Sequence, residues 1–242
     1  AGLAFGGFTT TNSASTEEYD GTSWTASNNM GTARYGLGGA GTQTSALAFG
    51  GNTNRTEQYN GTSWSETGDL ATSRGYIAGF GPSNTSAVAF GGSPNKSNTE
   101  EFTVSLSATT AAAWSSGGNM NTPRRDNNIG GAGTQTAGLA FGGEVPGGDA
   151  RVANNESYNG TSWSEENDLN TARNSLSGAG TQTAALAFGG GTATATAGDG
   201  VTEEWNGTAW SEQNDLSTSR AAGAGAGTQT AGLYLLGGNG PP

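Results

Sequence analysis

Apolar positions along this chain fall in short alternating runs, the periodicity of β-strands, and each run stops at glycine. Leu-Ala-Phe, or a close variant, precedes a Gly-Gly pair that begins at Gly6, Gly50, Gly91, Gly142 and Gly189, with an altered copy before Gly237. The large residues of such a run fill one face of a strand and the alanines let a neighbouring sheet approach the other. Beyond each of the first five pairs comes Glu-x-aromatic: Glu17 with Tyr19, Glu57 with Tyr59, Glu100 with Phe102, Glu156 with Tyr158 and Glu203 with Trp205. A Trp follows each (Trp24, Trp64, Trp114, Trp163, Trp210), then Met or Leu, and four positions later an Arg: Arg34, Arg74, Arg124, Arg173 and Arg220. The chain is therefore an array of repeats of about 41–51 residues.

Each unit predicts four strands. Asn-Gly at 60–61, 159–160 and 206–207, and Asp-Gly at 20–21, lie between two aromatic-bearing runs, which predicts a tight hairpin of type I′. After each Arg the residues become very small, as in YGLGGAG at 35–41 and AAGAGAG at 221–227. Glycine weakens a strand, so its recurrence here calls for a physical reason. Crowding about a central axis supplies one, because the innermost strands there have room only for small side chains.

Four strands per unit with Gly-Gly, Tyr and Trp landmarks, in order and five times over, resemble the Kelch-like β-propeller family, in which each unit is one four-stranded blade. The expectation is a single all-β domain over 1–242, a five-bladed β-propeller of four-stranded antiparallel blades. Landmarks predict five inner, six second, five third and five fourth strands. The chain begins inside a unit, so the ring is expected to close by sharing one blade between N- and C-terminal strands, with either 1–7 or 231–238 left over. The opening inside a repeat also suggests a segment of a longer array. In the third unit, TVSLSATTAAA and Gly81–Thr85 depart from the pattern and predict local irregularity.

Composition narrows the chemistry. Gly makes up 44 of 242 residues, and hydrophobic residues only 32%, which rules out a helix-rich globule. There is no Cys and no His, which removes disulfides, thiolate metal sites and the commonest general base. Copper chemistry of the galactose-oxidase kind needs His ligands, no calcium loop is present, and no carboxylate pair recurs as a dyad, so no enzyme and no cofactor are expected. A net charge of −11 and few bases argue against nucleic acid, and no apolar run is long enough to insert in a membrane.

The recurring Glu17, Glu57, Glu100, Glu156 and Glu203, and the Arg after each Trp, read as buried ion pairs stapling blades, or as a ring of anion sites. The tryptophans read as blade packing or sugar stacking. GTQT at 41–44 and its copies reads as a turn, since the Lys and helix of a phosphate loop are missing. Asn60, Asn159 and Asn206 match the glycosylation pattern but also occupy the hairpin turns. GTSW is similar to the Asp-box turn of sialidase propellers, but lacks its Asp.

What varies is the segment after Gly-Gly: 8–16, 52–56, 93–99, 144–155 and 191–202. In a propeller these polar loops share one face, as recognition loops on a scaffold would. Candidate ligand-binding residues there are Arg55, Asn95, Lys96, Asp149, Arg151 and Asp199. The near-identical units also resemble Kelch-like repeat proteins of bacteriophages and marine microbes, attached to tails or fibres. That resemblance implies an extracellular or virion-associated binding module for a cell-surface glycan or protein. The alternative is an assembly role on virion or envelope proteins.

Overall fold

The computed structural model describes residues 1–93, 96–104, 112–124, 130–145, 150–192 and 198–238. It is an all-β propeller. The first sheet contains β1 (Gly2–Phe5), β2 (Thr16–Tyr19) and β3 (Trp24–Ser27). The second contains β4 (Leu37–Thr42), β5 (Ser45–Gly50), β6 (Thr56–Tyr59) and β7 (Trp64–Glu66), and the third β8 (Ala78–Ser83), β9 (Ser86–Phe90), β10 (Thr99–Thr103) and β11 (Ala113–Ser116). In the fourth, β12 (Gly130–Thr134) and β13 (Ala137–Phe141) continue through a small hairpin, β14 (Glu144–Val145) and β15 (Ala150–Arg151), into β16 (Asn155–Tyr158) and β17 (Trp163–Glu165). The fifth contains β18 (Ser177–Thr181), β19 (Ala184–Phe188), β20 (Thr202–Trp205) and β21 (Trp210–Glu212), and the sixth only β22 (Ala221–Thr228) and β23 (Ala231–Gly238).

The strand inventory matches the landmarks, but the ring has six blades rather than five, and no blade is shared between the two ends. The expected competition between 1–7 and 231–238 for one place does not arise. β23 pairs with β22 through a short hairpin, a local closure that costs less chain entropy than recruiting a strand over two hundred residues away. β1 pairs with β2 and takes the next position round. There Gly2 faces Leu233 and Leu235 just as Gly232 faces Leu186 and Phe188, so the seam is packed like an ordinary blade interface. The irregularity expected in the third unit appears as a register shift between Phe80 and Ser83, while 105–111 lie outside the described residues.

The innermost strands border a central channel of about 780 Å³, and their glycines have a specific cause. Each Leu-Ala-Phe strand drives its Phe toward the inner strand of the next blade. A Cβ on Gly79 would lie 2.4 Å from the Phe49 ring, one on Gly178 2.6 Å from Phe141, and one on Gly225 2.8 Å from Phe188. Phe5 meets Gly39 and Phe90 meets Gly131 in the same way. The other side of each ring meets the next blade's Trp: Phe5–Trp64, Phe49–Trp114, Phe90–Trp163 and Phe141–Trp210, with centroids 4.9–5.3 Å apart. Trp64, Trp114 and Trp163 each donate their indole N–H to a Thr of the preceding blade: Thr16, Thr56 and Thr99.

The Asn-Gly turns differ from expectation. Gly61, Gly160 and Gly207 have φ near 90°, but no Asn of these turns is left-handed, so they are not type I′. Four residues bridge the strands, and Asn60 Oδ1 accepts from the backbone N–H groups of both Thr62 and Ser63, as do Asn159, Asn206 and Asp20 in their own turns. The short polar side chain closes the turn that a second left-handed residue would otherwise close.

Trp163 is 5% exposed and Trp24 39% exposed. Trp163→Ala should lower unfolding free energy by about 3–5 kcal/mol, and Trp24→Ala by under about 1 kcal/mol. Denaturant titration checks this, and equal losses would contradict the interface described.

Candidate functional site

The loops after Gly-Gly and the loops after Arg emerge together on one face, joined by backbone bridges such as Thr53 with Arg74, Asn174 with Gly191 and Asp199 with Arg220. A single guanidinium fixes the base of four of the five variable loops. Arg34 Nη1 donates to the carbonyls of Gly50, which ends β5, and Arg55, which directly precedes β6, at 2.9 and 2.8 Å, and so ties the two ends of one variable loop. Its Nη2 reaches Glu57 Oε1 at 2.9 Å, and Glu57 Oε2 accepts from Gly31 N–H at 2.6 Å. Arg74 holds Gly91, Asn98 and Glu100; Arg124 holds Gly142, Asn154 and Glu156; Arg173 holds Gly189, Val201 and Glu203.

All four arginines are buried, and burial pulls their pKa values down while the paired carboxylates push them back up. The Arg precedes an inner strand and its Glu lies on the third strand of that same blade. Glu17 and Arg220 stand in sheets that lack the complementary part: Glu17 is exposed on β2, and Arg220 is half-buried before β22. These guanidinium groups are enclosed by protein carbonyls and carboxylates, which leaves no ring of sites for an external anion.

Of the candidate binding residues, Asn95 and Asp149 lie outside the described residues. Arg55 and Glu66 form an exposed ion pair at the rim. Lys96 is half-buried, and its backbone N–H bonds to Gly92. Arg151 Nε donates to Asn174 Oδ1 at 3.0 Å, and Asn174 Nδ2 to the buried Glu144 at 3.2 Å, so a polar network crosses from the fourth blade to the fifth. Asp199, in the next loop, accepts from Thr192 and from Gly200 N–H. The four described candidates thus make their contacts at separate places: Arg55 with Glu66, Lys96 with Gly92, Arg151 with Asn174, and Asp199 with Thr192.

It gathers instead three aromatic rings that sequence reasoning passed over. Phe8, 61% exposed, lies 5.5 Å from Tyr35, which meets Tyr76 edge-on at 5.9 Å. Tyr35 and Tyr76, both half-buried, each follow an Arg closely and precede the channel-lining Leu37 and Ile77, so the cluster draws on the first three blades at the variable-loop face. Tyr76 is held at φ 49°, a left-handed conformation rare for a bulky residue, and its N–H bonds to Gly36 at 2.6 Å. The only advance signal was that these positions are aromatic in an otherwise small-residue segment.

The opposite face is uniform for a reason also missed. The Gln of each GTQT turn donates across the blade boundary to the carbonyl of the preceding blade's third-strand aromatic: Gln43 to Tyr19, Gln135 to Phe102, Gln182 to Tyr158 and Gln229 to Trp205. In the third blade, where the motif is replaced, Asn84 makes the same bond to Tyr59 at 2.8 Å. GTQT is thus a turn that also staples blades. Among the described residues no group of three or more acidic side chains is arranged to hold a metal ion.

Fold and face together define a β-propeller with one conserved-geometry face and one face of clamped, unlike loops. Its architecture is similar to a solved structure described as "Structure of YjhT", with a TM-score of 0.74 at 14% identity, covering 94% of this chain and 85% of that chain. At that identity the likeness is one of fold. No family model matches the sequence, and no curated protein matches it.

Removing one member of a buried clamp strands its partner. Arg124→Ala should cost about 3–5 kcal/mol, whereas Arg55→Ala, at the exposed pair, should cost under about 1 kcal/mol. Thermal and denaturant unfolding of the two variants decides it; near-equal effects would remove the clamp from the argument.

Proposed function

We propose that this chain is a Kelch-like repeat propeller working as a non-catalytic binding module, which recognises an uncharged, hydroxyl-rich surface glycan through its variable-loop face. It would act outside the cell or on a virion, for example on a phage tail or fibre. The observation that carries the reading is the Phe8–Tyr35–Tyr76 cluster, with Phe8 exposed and both tyrosines half-buried, among loops rich in Thr, Asn and Ser. Aromatic faces take the apolar C–H face of a sugar ring, and neighbouring hydroxyl and amide groups take its hydroxyls.

Charge favours an uncharged ligand. The four buried Arg–Glu pairs are neutral units, so the full net charge of −11 belongs to the rest of the molecule and repels polyanions. The clamp supplies the other half of the reading: loops whose two ends share one guanidinium can change in length and sequence without disturbing the blade.

A glycan array tests it. The protein should bind a restricted set of neutral glycans; Phe8→Ala and Tyr35→Ala should each weaken binding by about tenfold or more, and Arg151→Ala should alter selectivity. Silence on every sugar would sink the proposal and favour docking on virion or envelope proteins.

A further inference from the structure

The Asn-Gly turns of the uniform face hold groups that neither the blade packing nor the proposed function uses. Asn60, Asn159 and Asn206 are exposed at the same place in three blades, each followed by glycine. Their side chains serve the turn through Oδ1 alone, which accepts two backbone N–H groups at 2.9–3.0 Å. Among the described residues, nothing accepts from Nδ2 of these asparagines or from the N–H of Gly61, Gly160 and Gly207.

The first blade shows what an aspartate does in this turn. Asp20 and Gly21 take the same position, and Asp20 Oδ1 accepts from the N–H groups of Thr22 and Ser23 at 2.7 and 2.9 Å. Those two donors, Ser23 foremost, hold the Asp20 carboxyl below the usual carboxylate range. The turn therefore receives a carboxylate through the same bonds as an amide. Asp20 is also the only charged residue in the described turns of this face, the rest being Thr, Gln, Asn, Gly, Ser and Ala.

We infer that Asn60, Asn159 and Asn206 are self-modification sites, at which the folded turn converts its own asparagine to aspartate and releases ammonia. In the second blade the Gly61 nitrogen, having lost its proton to hydroxide, adds to Asn60 Cγ; glycine places no Cβ beside that nitrogen. Negative charge develops on Oδ1, the atom to which the Thr62 and Ser63 N–H groups already donate. The Cγ–Nδ2 bond breaks, and ammonia leaves from an exposed position. Water then opens the five-membered imide at Cγ, which breaks the new N–Cγ bond, restores the Gly61 N–H and leaves a carboxylate. Each site consumes one water and releases one ammonia. Opening at the other carbonyl would route the backbone through the side chain and lengthen a turn in which Asn60 N–H is bonded to the Ser63 carbonyl at 3.2 Å, so the fold selects aspartate over isoaspartate. Three conversions take the net charge from −11 to −14. The new charge falls on the face opposite the variable loops, so the inference stands or falls independently of glycan recognition.

Peptide mapping by mass spectrometry tests this on the folded full chain, incubated in heavy-oxygen water at neutral and at mildly alkaline pH. The peptide YNGTSW, the sequence of 59–64, is the reference. Each of the three sites should take up heavy oxygen ahead of every other described asparagine, and faster at the higher pH. The rate should lie no more than about tenfold below the peptide's, since an exposed turn opens at little cost. Aspartate should be the main product in the folded chain, where the peptide gives a mixture with isoaspartate. The variant carrying Asn60→Asp, Asn159→Asp and Asn206→Asp together should unfold at the same denaturant concentration as the unaltered chain. A folded-chain rate further below the peptide's, isoaspartate as its main product, or earlier unfolding of the variant would each overturn the inference.

Discussion

The rest of the propeller depends on one contact repeated round the ring: a phenylalanine from five of the six second strands pressed against a glycine of the next blade's inner strand. Phe49 on Gly79 and Phe141 on Gly178 leave no room for a Cβ, and the other side of each ring is covered by Trp114 or Trp210 of that same next blade. A knob held between an inner and an outer strand of its neighbour sets both the distance and the angle between sheets. It explains why glycine, ordinarily a weak strand residue, is required at the hub. It also lets a chain with so few large apolar residues build a core, because burial is concentrated at one ring per interface rather than spread through a broad interior.

Polar groups divide the remaining work by face. On the variable face, Arg34, Arg74, Arg124 and Arg173 each tie a loop's two ends to a buried Glu, so the dry interior holds a charge only where carbonyls and a carboxylate surround it. On the other face, Gln43, Gln135, Gln182 and Gln229 carry one amide bond across each boundary. Asn84 shows that geometry rather than residue type is what matters there: a shorter side chain on a bulged strand reaches the same carbonyl. Fold and variability are thereby uncoupled, since the clamp lies beneath the loops and the staple lies opposite them.

Much of this is visible in the chain before any coordinates. Strand order, small inner strands and the spacing of Glu, Trp and Arg follow from a period that repeats with few exceptions. What stayed hidden was not periodic. Tyr35 meets both Phe8 and Tyr76 although the three sit in different units, and a contact between units leaves no mark on the pattern within one. The Asn-Gly turns misled because the dipeptide is shared by two loop types, and only the Asn60 side chain accepting two backbone N–H groups tells them apart. The blade number misled because identical repeats make two strands look like rivals for one place, when side-chain packing can seat both.

The sixth blade meets its neighbour through a different aromatic. Where β5, β9, β13 and β19 carry Ala48, Ala89, Ala140 and Ala187 beside an outer strand, β23 carries Tyr234. Its ring meets Phe188 edge-on at 5.5 Å, the place that a Trp fills at the four interfaces before it, and its hydroxyl accepts from Gly223 N–H at 3.1 Å. Burial raises its pKa, so it holds that bond as a neutral phenol. The sixth blade's hairpin thus supplies the aromatic that keeps Phe188 of the fifth blade buried. At the other side of the seam, β1 keeps the standard Leu-Ala-Phe, and Phe5 packs on Gly39 and Trp64 of the second blade as Phe49 packs on Gly79 and Trp114 of the third. The seam thus keeps the contact of the ordinary interfaces, with a Tyr from the second strand standing where a Trp from the fourth strand stands elsewhere.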